Sequence, residues 1–255
     1  MAYHRRALAC ALLALIVSHT RPAHAVDGVI EINQARALKG GITDGDTPGF
    51  PITISTGTFS SDPMSFRLTG PLFNSTTANI IEIISPNVTV DLNGFAITCL
   101  LPSCGGTAVV SLGQANITVM NGTVRGFDQG INITGNGARV ENVRAIGNTT
   151  VGVHLGNDCT VRNCTAAANL AEGIRVGNAC HVSGNTSNSN GSDGICTGVG
   201  SNVYGNEVHG NTGHGLNLAT QTGYSQNVIS QNTAGTVING TPAGLNVCDG
   251  GLTCP

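Results

Sequence analysis

The sequence predicts an all-β solenoid in which short strands stack in coils of about 21 residues. The first observation is a column of residues that recurs every 21 positions: Val119, Val140, Val161, Val182, Val203 and Tyr224. The second is that asparagines and glycines recur with the same period. The third is that apolar and polar residues alternate within each row, as in Ile174–Val176, which indicates strands. A repeat of this length is typical of a solenoid.

Each row of the repeat carries two further apolar columns, so we expect three strands per coil. These are Val124, Ala145, Ala166, Ser187, Val208 and Ile229, and then Val153, Ile174, Ile195, Leu216 and Val237. Stacked coils would form parallel sheets with a rise of about 4.8 Å per coil, with the apolar columns inside. Helical repeats are excluded because the 36 glycines would each cost a helix about 1 kcal/mol.

A column of asparagines shares the period: Asn148, Asn169, Asn190, Asn211 and Asn232. An amide side chain has donors and an acceptor, so equal asparagines one coil apart can bond to each other and to the turn backbone. We therefore expect a structural ladder here in preference to a ligand site.

The first 25 residues form an expected secretory signal peptide. Arg5 and Arg6 precede an apolar run of 11 residues from Ala7 to Val17, and a small-residue "AHA" follows. This run is shorter than the roughly 20 residues that span a bilayer. The sequence thus predicts a secreted or periplasmic protein without a transmembrane segment.

After the signal, we expect an N-terminal cap with irregular first strands over 26–65, the solenoid over 66–247 and a C-terminal tail over 248–255. The stretch from Gly28 to Gly41 carries Ile32, Ala35 and Leu38 at helical spacing and ends in glycines, so it predicts a short helix that covers the first coil. Such a cover is needed because the end of a solenoid exposes strand edges.

The mature chain has 8 basic and 14 acidic residues, a formal charge of 8 − 14 = −6, and Lys39 is its one lysine. This charge argues against nucleic acid and anionic membranes as partners. The oligomeric state stays open.

Eight cysteines follow the signal, an even number in a chain addressed to an oxidising compartment. Their spacing predicts disulfides Cys99–Cys104 and Cys248–Cys254, each closing a short loop. Cys159 and Cys180 occupy the same position in consecutive coils, where a disulfide and a pair of buried thiols are both open. Cys196 should face outward as a free thiol, with binding of a soft metal beside Asp193 and His214 as the alternative, and no CxxC pair is present to suggest zinc.

The rows "VENVRAIGNTTVGVHL", "VRNCTAAANLAEGIRV", "VSGNTSNSNGSDGICT" and "VYGNEVHGNTGHGLNL" resemble the repeat of the right-handed parallel β-helix proteins of the pectate-lyase-like superfamily. The resemblance implies a single-stranded right-handed parallel β-helix that acts on or binds an extracellular polysaccharide, as a lyase, epimerase or hydrolase. A second resemblance, to periplasmic NosD-type proteins, implies a role in metal-site maturation. "GHG" at Gly213 to Gly215 is similar to a polygalacturonase motif, but the accompanying motifs are missing, so no catalytic residue is transferred.

Carbohydrate sites in that superfamily lie on the outer face of the strands that follow the repeated glycine. Here the outward residues are His154, Arg175, Cys196 and Asn217, and the residues before each glycine are Val151, Glu172, Asp193 and His214. Carboxylates at one-coil spacing raise each other's pKa, and a histidine can move a proton. The expected catalytic residues are Glu172, Asp193, His214 and Arg175, and the expected substrate-binding residues are His154, Tyr204 and Asn217.

The sequence leaves open whether this face is catalytic. A polar outer face is what water alone would select, and a non-catalytic surface, adhesion or structural solenoid is the alternative. The cofactor is also open, with calcium as the candidate.

Overall fold

The structure, a computed structural model, describes residues 28–55, 64–102, 104–252 and 254. Within these ranges the chain is a parallel β-solenoid with one short helix, α1 (Gln34–Lys39). The expected signal peptide, 1–25, lies outside the described residues. In chain order, the strands are β1 (Val29–Ile32), β2 (Ile52–Ile54), β3 (Met64–Leu68), β4 (Leu72–Asn74), β5 (Ile81–Ile83), β6 (Val88–Asp91), β7 (Ala96–Cys99), β8 (Thr107–Ser111), β9 (Thr118–Arg125), β10 (Gln129–Ile133), β11 (Arg139–Ile146), β12 (Val153–Leu155), β13 (Thr160–Arg162), β14 (Thr165–Ala167), β15 (Ile174–Val176), β16 (His181–Ser183), β17 (Thr186–Asn188), β18 (Ile195–Thr197), β19 (Asn202–Tyr204), β20 (Glu207–His209), β21 (His214–Leu218), β22 (Gly223–Ser225), β23 (Val228–Ser230), β24 (Gly235–Ile238), β25 (Thr241–Pro242) and β26 (Val247–Cys248).

The strands stack in three columns, which confirms the expected three strands per coil. The first column comprises β1, β3, β6, β9, β11, β13, β16, β19, β22 and β25. The second comprises β4, β7, the ends of β9 and β11, β14, β17, β20, β23 and β26. These two columns form one 17-stranded sheet because β9 and β11 run through both, and the third column is a separate nine-stranded sheet of β2, β5, β8, β10, β12, β15, β18, β21 and β24.

The apolar core lies between the columns in the register that the period predicts. Val161 pairs with Val182, Ala166 with Ser187 and Ile174 with Ile195. All three predicted columns are buried, including Tyr224. Ser187 is the one polar residue of these three columns. Its hydroxyl donates to the carbonyl of Gly194 at 2.7 Å, so this buried hydroxyl is hydrogen-bonded.

Two asparagine ladders run along the solenoid. The predicted one is confirmed, since Asn169 Nδ2 donates to Asn190 Oδ1 at 3.0 Å and Asn190 Nδ2 to Asn211 Oδ1 at 2.9 Å. A second ladder lies at the turn between the first and second columns and consists of Asn185, Asn206, Asn227 and Asn246. Cys164 occupies the next position of this second ladder, and its backbone N–H donates to Asn185 Oδ1 at 2.9 Å.

The predicted short helix is present as α1, which lies in the first coil between β1 and β2 and bonds through Gln34 to Phe73 of β4, but the predicted apolar face of this helix is wrong. Asn33 caps the helix by accepting from the Arg36 N–H at 3.0 Å, so Ile32 lies before the helix, buried in β1. The buried helical residue is Ala37, whereas Leu38 is 57% exposed. The helical spacing of Ile32 and Leu38 is misleading because Ile32 lies in β1 and Leu38 in a helix of only six residues. β1 pairs in parallel with β3, so the sheet extends into the region expected to be the cap.

Three disulfides join the described cysteines. Cys99–Cys104 and Cys248–Cys254 close the two short loops, with Cα–Cα distances of 5.8 Å and 5.4 Å. Cys159 and Cys180 are bonded across consecutive coils, with a Cα–Cα distance of 4.6 Å, so the disulfide alternative holds. Cys164 and Cys196 are free thiols. None of the described helical residues forms a helix long and apolar enough to cross a membrane.

Candidate functional site

The outer surface of the third column carries the predicted site residues in one file. Strand pairing sets His154 beside Arg175, Arg175 beside Cys196 and Cys196 beside Asn217. Neighbouring members are therefore about 4.8 Å apart along the solenoid axis. We call this surface the third-column face and include in it Glu172, Asp193 and His214, which lie where these strands begin.

Glycine is required where each of these strands begins. A Cβ on Gly194 would lie 2.4 Å from Val208 Cγ1 and 2.7 Å from the carbonyl oxygen of Gly215 in the next coil. Such distances are far inside van der Waals contact, so the coils could not stack with a side chain here. The glycine lets Asp193, which precedes it, approach the next coil closely.

Asp193 connects two coils by hydrogen bonds. Its Oδ1 accepts from the backbone N–H of His214 at 2.7 Å, and its Oδ2 accepts from Asn217 Nδ2 at 2.8 Å. The imidazole Nδ1 of His214 lies 3.6 Å from the same Oδ1. The side chain of Asp193 is 14% exposed and that of His214 26% exposed, so both are mostly shielded but reachable. This carboxylate therefore fixes the position of His214.

Glu172 and Arg175 form an ion pair one coil away. Arg175 Nη1 lies 3.6 Å from Glu172 Oε1, at a spacing of three residues in the chain. The carboxylate is 17% exposed, whereas the guanidinium is 53% exposed. Glu172 and Asp193 thus each have their own partner, and Arg175 retains donors that face solvent.

The pKa values of His154 and Cys196, the two neighbours of Arg175 in the file, are shifted. Burial lowers the pKa of His154, and the charge of Arg175 lowers it further against the opposing effect of Glu172. Burial also raises the pKa of the Cys196 thiol, and Arg175 opposes that shift. At neutral pH the middle of the file is therefore a neutral imidazole, a cationic guanidinium and a protonated thiol.

Tyr204 does not join this surface. It is 42% exposed as predicted, but it belongs to β19 in the first column, beside Ser183 and Ser225. Val151, which holds the position of Glu172 one coil earlier, is buried at 6% exposure.

Sequence reasoning missed two further members of the third-column face. Gln129 and Asn132 lie on β10, one coil before Val151 and His154. Gln129 Oε1 and Asn132 Oδ1 are buried and have no hydrogen-bond partner among the described residues. The 21-residue period does not place these two residues in the file, because Ile131 pairs with Val153 at an offset of 22 residues and later coils have an offset of 21.

No three His, Cys, Asp or Glu side chains within the described ranges lie close enough together to hold a metal ion. Cys196 is near Asp193 and His214 in the register, but these three do not form such a group.

The third-column face combines three chemical capacities. The Asp193–His214 pair can take up or release a proton, the exposed guanidinium of Arg175 can bind a carboxylate, and the amide of Asn217 can bond to hydroxyls. These groups lie in successive coils of one file, and this repeated spacing suits an extended chain better than a compact small molecule.

A comparison with protein families agrees with the fold. The family model described as "Right handed beta helix region" matches residues 73–203, which is about half of the chain. A search of solved structures finds the crystal structure of the Dettilon tailspike protein (gp208), with 14% sequence identity and a TM-score of 0.49. That alignment covers 69% of this chain and 44% of the tailspike chain, so this chain spans less than half of the tailspike's length. A search of curated proteins finds no match.

Proposed function

We propose that this chain, which belongs to the right-handed β-helix family, acts on an extracellular polysaccharide containing uronate sugars. The observation that carries the proposal is the Asp193–His214 pair, at 3.6 Å, on the same face as the exposed guanidinium of Arg175, from which Asp193 lies one coil and His214 two coils away. A proton-transfer group and a carboxylate-binding group on one face are the combination that cleavage or epimerisation of a uronate requires.

The proposed roles follow from the contacts. Asp193 orients His214, which exchanges a proton with the sugar ring or the leaving oxygen. Arg175 binds the uronate carboxylate and stabilises the charge that develops on it, while Glu172 holds Arg175 in place. His154 and Asn217, on either side in the file, hydrogen-bond to neighbouring sugar units.

The proposed location is outside the cytoplasm. The signal peptide expected at 1–25 would export the chain, and three disulfides are typical of proteins in oxidising compartments. An exported protein would meet polysaccharide as a polymer, in keeping with the repeated spacing along the third-column face.

One observation favours a second candidate, a solenoid that binds polysaccharide without turning it over. Both carboxylates of the third-column face are already engaged, Asp193 with the His214 N–H and Asn217, and Glu172 with Arg175. Oxygens occupied by these partners have fewer lone pairs left to contact a substrate, so the main effect of the two carboxylates would be to order the binding surface.

Replacement of the central residues tests the proposal. We expect Asp193→Ala and His214→Ala to abolish formation of new chain ends from uronate polymers, while the far-ultraviolet circular dichroism stays unchanged. His209→Ala is the matched control, because His209 is a half-buried histidine of the second column that contacts Asn188. Turnover that survives both site variants would show that the catalytic assignment is wrong. Loss of turnover with retained polymer binding would support it over the second candidate.

A further inference from the structure

A different side of the solenoid carries a strip of four residues on the second column, of which three are at least partly exposed and Thr98 is buried. Phe73 pairs with Thr98, Thr98 with Arg125, and Arg125 with Ile146, each in the next coil. We call these four residues the Arg125 strip. Because coils rise by about 4.8 Å, Phe73 and Arg125 lie about 10 Å apart along the axis.

The Arg125 strip borders a shallow depression of about 420 Å³. Thr98, Arg125 and Ile146 line it together with Cys99, Leu100, Gly126 and Gly147. A Cβ on Gly126 would lie 3.2 Å from the Cβ of Cys99, so a glycine there keeps the floor low. Cys99, which with Leu100 lines the depression, is joined to Cys104 by a disulfide.

The strip has apolar surface that the core does not use. Phe73 is 42% exposed and Leu100 is 61% exposed, at the two sides of Thr98. An exposed aromatic ring offers a flat face for the C–H surface of a sugar ring. The regular coils otherwise expose little aromatic surface, with Tyr204 on the first column as the other example.

The charge of this side is positive, against the −6 of the mature chain. Arg125 Nε donates to Thr98 Oγ1 at 3.3 Å, which orients the guanidinium and leaves its other donors free. Arg144 points outward from β11, two residues before Ile146, and pairs with Thr123. This places it diagonally from Arg125 at about 8 Å. Neither arginine is in an ion pair with a described carboxylate.

The acid of the same strand is already neutralised. Glu141 is bridged by Arg139 at 2.9 Å and by Arg162 at 2.7 Å. Arg125 and Arg144 are therefore the two charged residues of the second column in these coils, and Glu141 is balanced by arginines of the first column. Such a surface attracts an anionic ligand and disfavours a cationic one.

We propose that the Arg125 strip is a binding site for an anionic sugar unit of an acidic polysaccharide. Arg125 and Arg144 bind its carboxylate or sulfate group, and Phe73 contacts the face of a neighbouring sugar ring. The small side chain of Thr98 and the glycines Gly126 and Gly147 leave room for the sugar chain to approach the surface. The site lies on a different column from the third-column face, and it does not depend on the function proposed for that face.

Titration of the mature protein with three oligosaccharides tests this proposal. The probes are a hexamer of galacturonate for the carboxylate, a heparin-derived hexasaccharide for the sulfate and maltohexaose as the neutral chain. We expect at least one anionic probe to bind, more weakly as salt is added, and maltohexaose to bind at least tenfold more weakly. Loss of a charge-assisted hydrogen bond predicts that Arg125→Gln weakens anionic binding by about tenfold or more. Phe73→Ser should weaken it further.

Arg67→Gln is the matched control, because Arg67 is a 47%-exposed arginine of the first column paired with Asp91 at 3.5 Å. It should leave binding unchanged. Equal binding of maltohexaose, an unaffected Arg125→Gln variant that retains the fold, or no binding of either anionic probe would overturn the proposal. Arg144→Gln provides the same test if Arg125→Gln fails to fold. Binding lost in Arg175→Gln but kept in Arg125→Gln would overturn the strip and leave the third-column proposal standing.

Discussion

We predict that replacing Asn190, a residue of the asparagine ladder, strongly destabilises the fold. Its side chain is 1% exposed and takes part in five hydrogen bonds. Oδ1 accepts from the backbone and side chain of Asn169, and Nδ2 donates to the Ala166 carbonyl, Ser187 Oγ and Asn211 Oδ1. Each is worth about 0.5–1.5 kcal/mol net, and several share an atom, so Asn190→Ala should lower the free energy of unfolding by about 3–5 kcal/mol.

Urea denaturation followed by circular dichroism measures this cost on the mature, disulfide-bonded chain. Asn202→Ala is the control, because Asn202 lies exposed on the outside of β19, and we expect a change below about 0.5 kcal/mol. Asn190→Asp separates hydrogen bonding from volume: it keeps the shape, loses the three donor bonds and sets a carboxylate against the Ala166 carbonyl. It should be at least as unstable as Asn190→Ala at pH 7 and recover in part on acidification. If Asn190→Ala costs no more than Asn202→Ala, the ladder does not stabilise the fold.

Three further predictions concern other parts of the solenoid. Burial raises the pKa of Glu141, but the hydrogen bonds and charges of Arg162 and Arg139 lower this pKa overall. The stability that the ionised carboxylate contributes is therefore fully present above the ordinary pKa of 4.5. It is lost as the pH falls through the lower pKa of the folded protein. The stability difference between the natural chain and Glu141→Gln, measured by urea denaturation, should therefore be large at pH 7 and shrink below that ordinary value; a difference independent of pH would contradict the two-arginine account. Burial raises the pKa of Cys164 to about 11, so a thiol reagent at pH 8 should modify Cys196 in the folded protein and Cys164 only after unfolding; rapid modification of both would refute the burial. Gly194→Ala should destabilise the fold by about 2–4 kcal/mol, whereas the control Gly223→Ala, whose Cβ would lie 3.7 Å from that of Ala243, should change stability little, and equal thermal shifts would contradict the close stacking at Gly194.

The regular coils were predictable because their period is strict. From Val140 onward the strand partners differ by 21 residues up to β21, so one column of valines predicts the others and the Asn148 ladder. The second ladder obeys the same period at Asn185, Asn206 and Asn227, and it was overlooked because Cys164 replaces the asparagine of the preceding coil. Irregular parts were harder, since Ile32 and Leu38 share a spacing but lie in a strand and a helix.

The site was predictable in its positions and less so in its contacts. Alternation along a strand indicates that His154, Arg175 and Asn217 face outward, and the structure has them in one file. The period cannot tell which carboxylate bonds to which donor, because that depends on side-chain conformation. The period also does not assign Tyr204 to its column, because outward residues of all three columns show the same alternation in the sequence. The Arg125 strip was missed because it begins before the regular coils, where the offset between Thr98 and Arg125 is 27.

We propose that the protein, once its expected signal peptide is removed, modifies a uronate-containing polysaccharide. Nuclear magnetic resonance tests this on the natural chain without residues 1–25, incubated, with and without calcium, with uronate-containing and neutral polysaccharides. We expect new unsaturated ends, inverted sugar centres or new reducing ends in a uronate polymer, with neutral polymers unchanged. Uronate polymers that keep their spectra through prolonged incubation would contradict it.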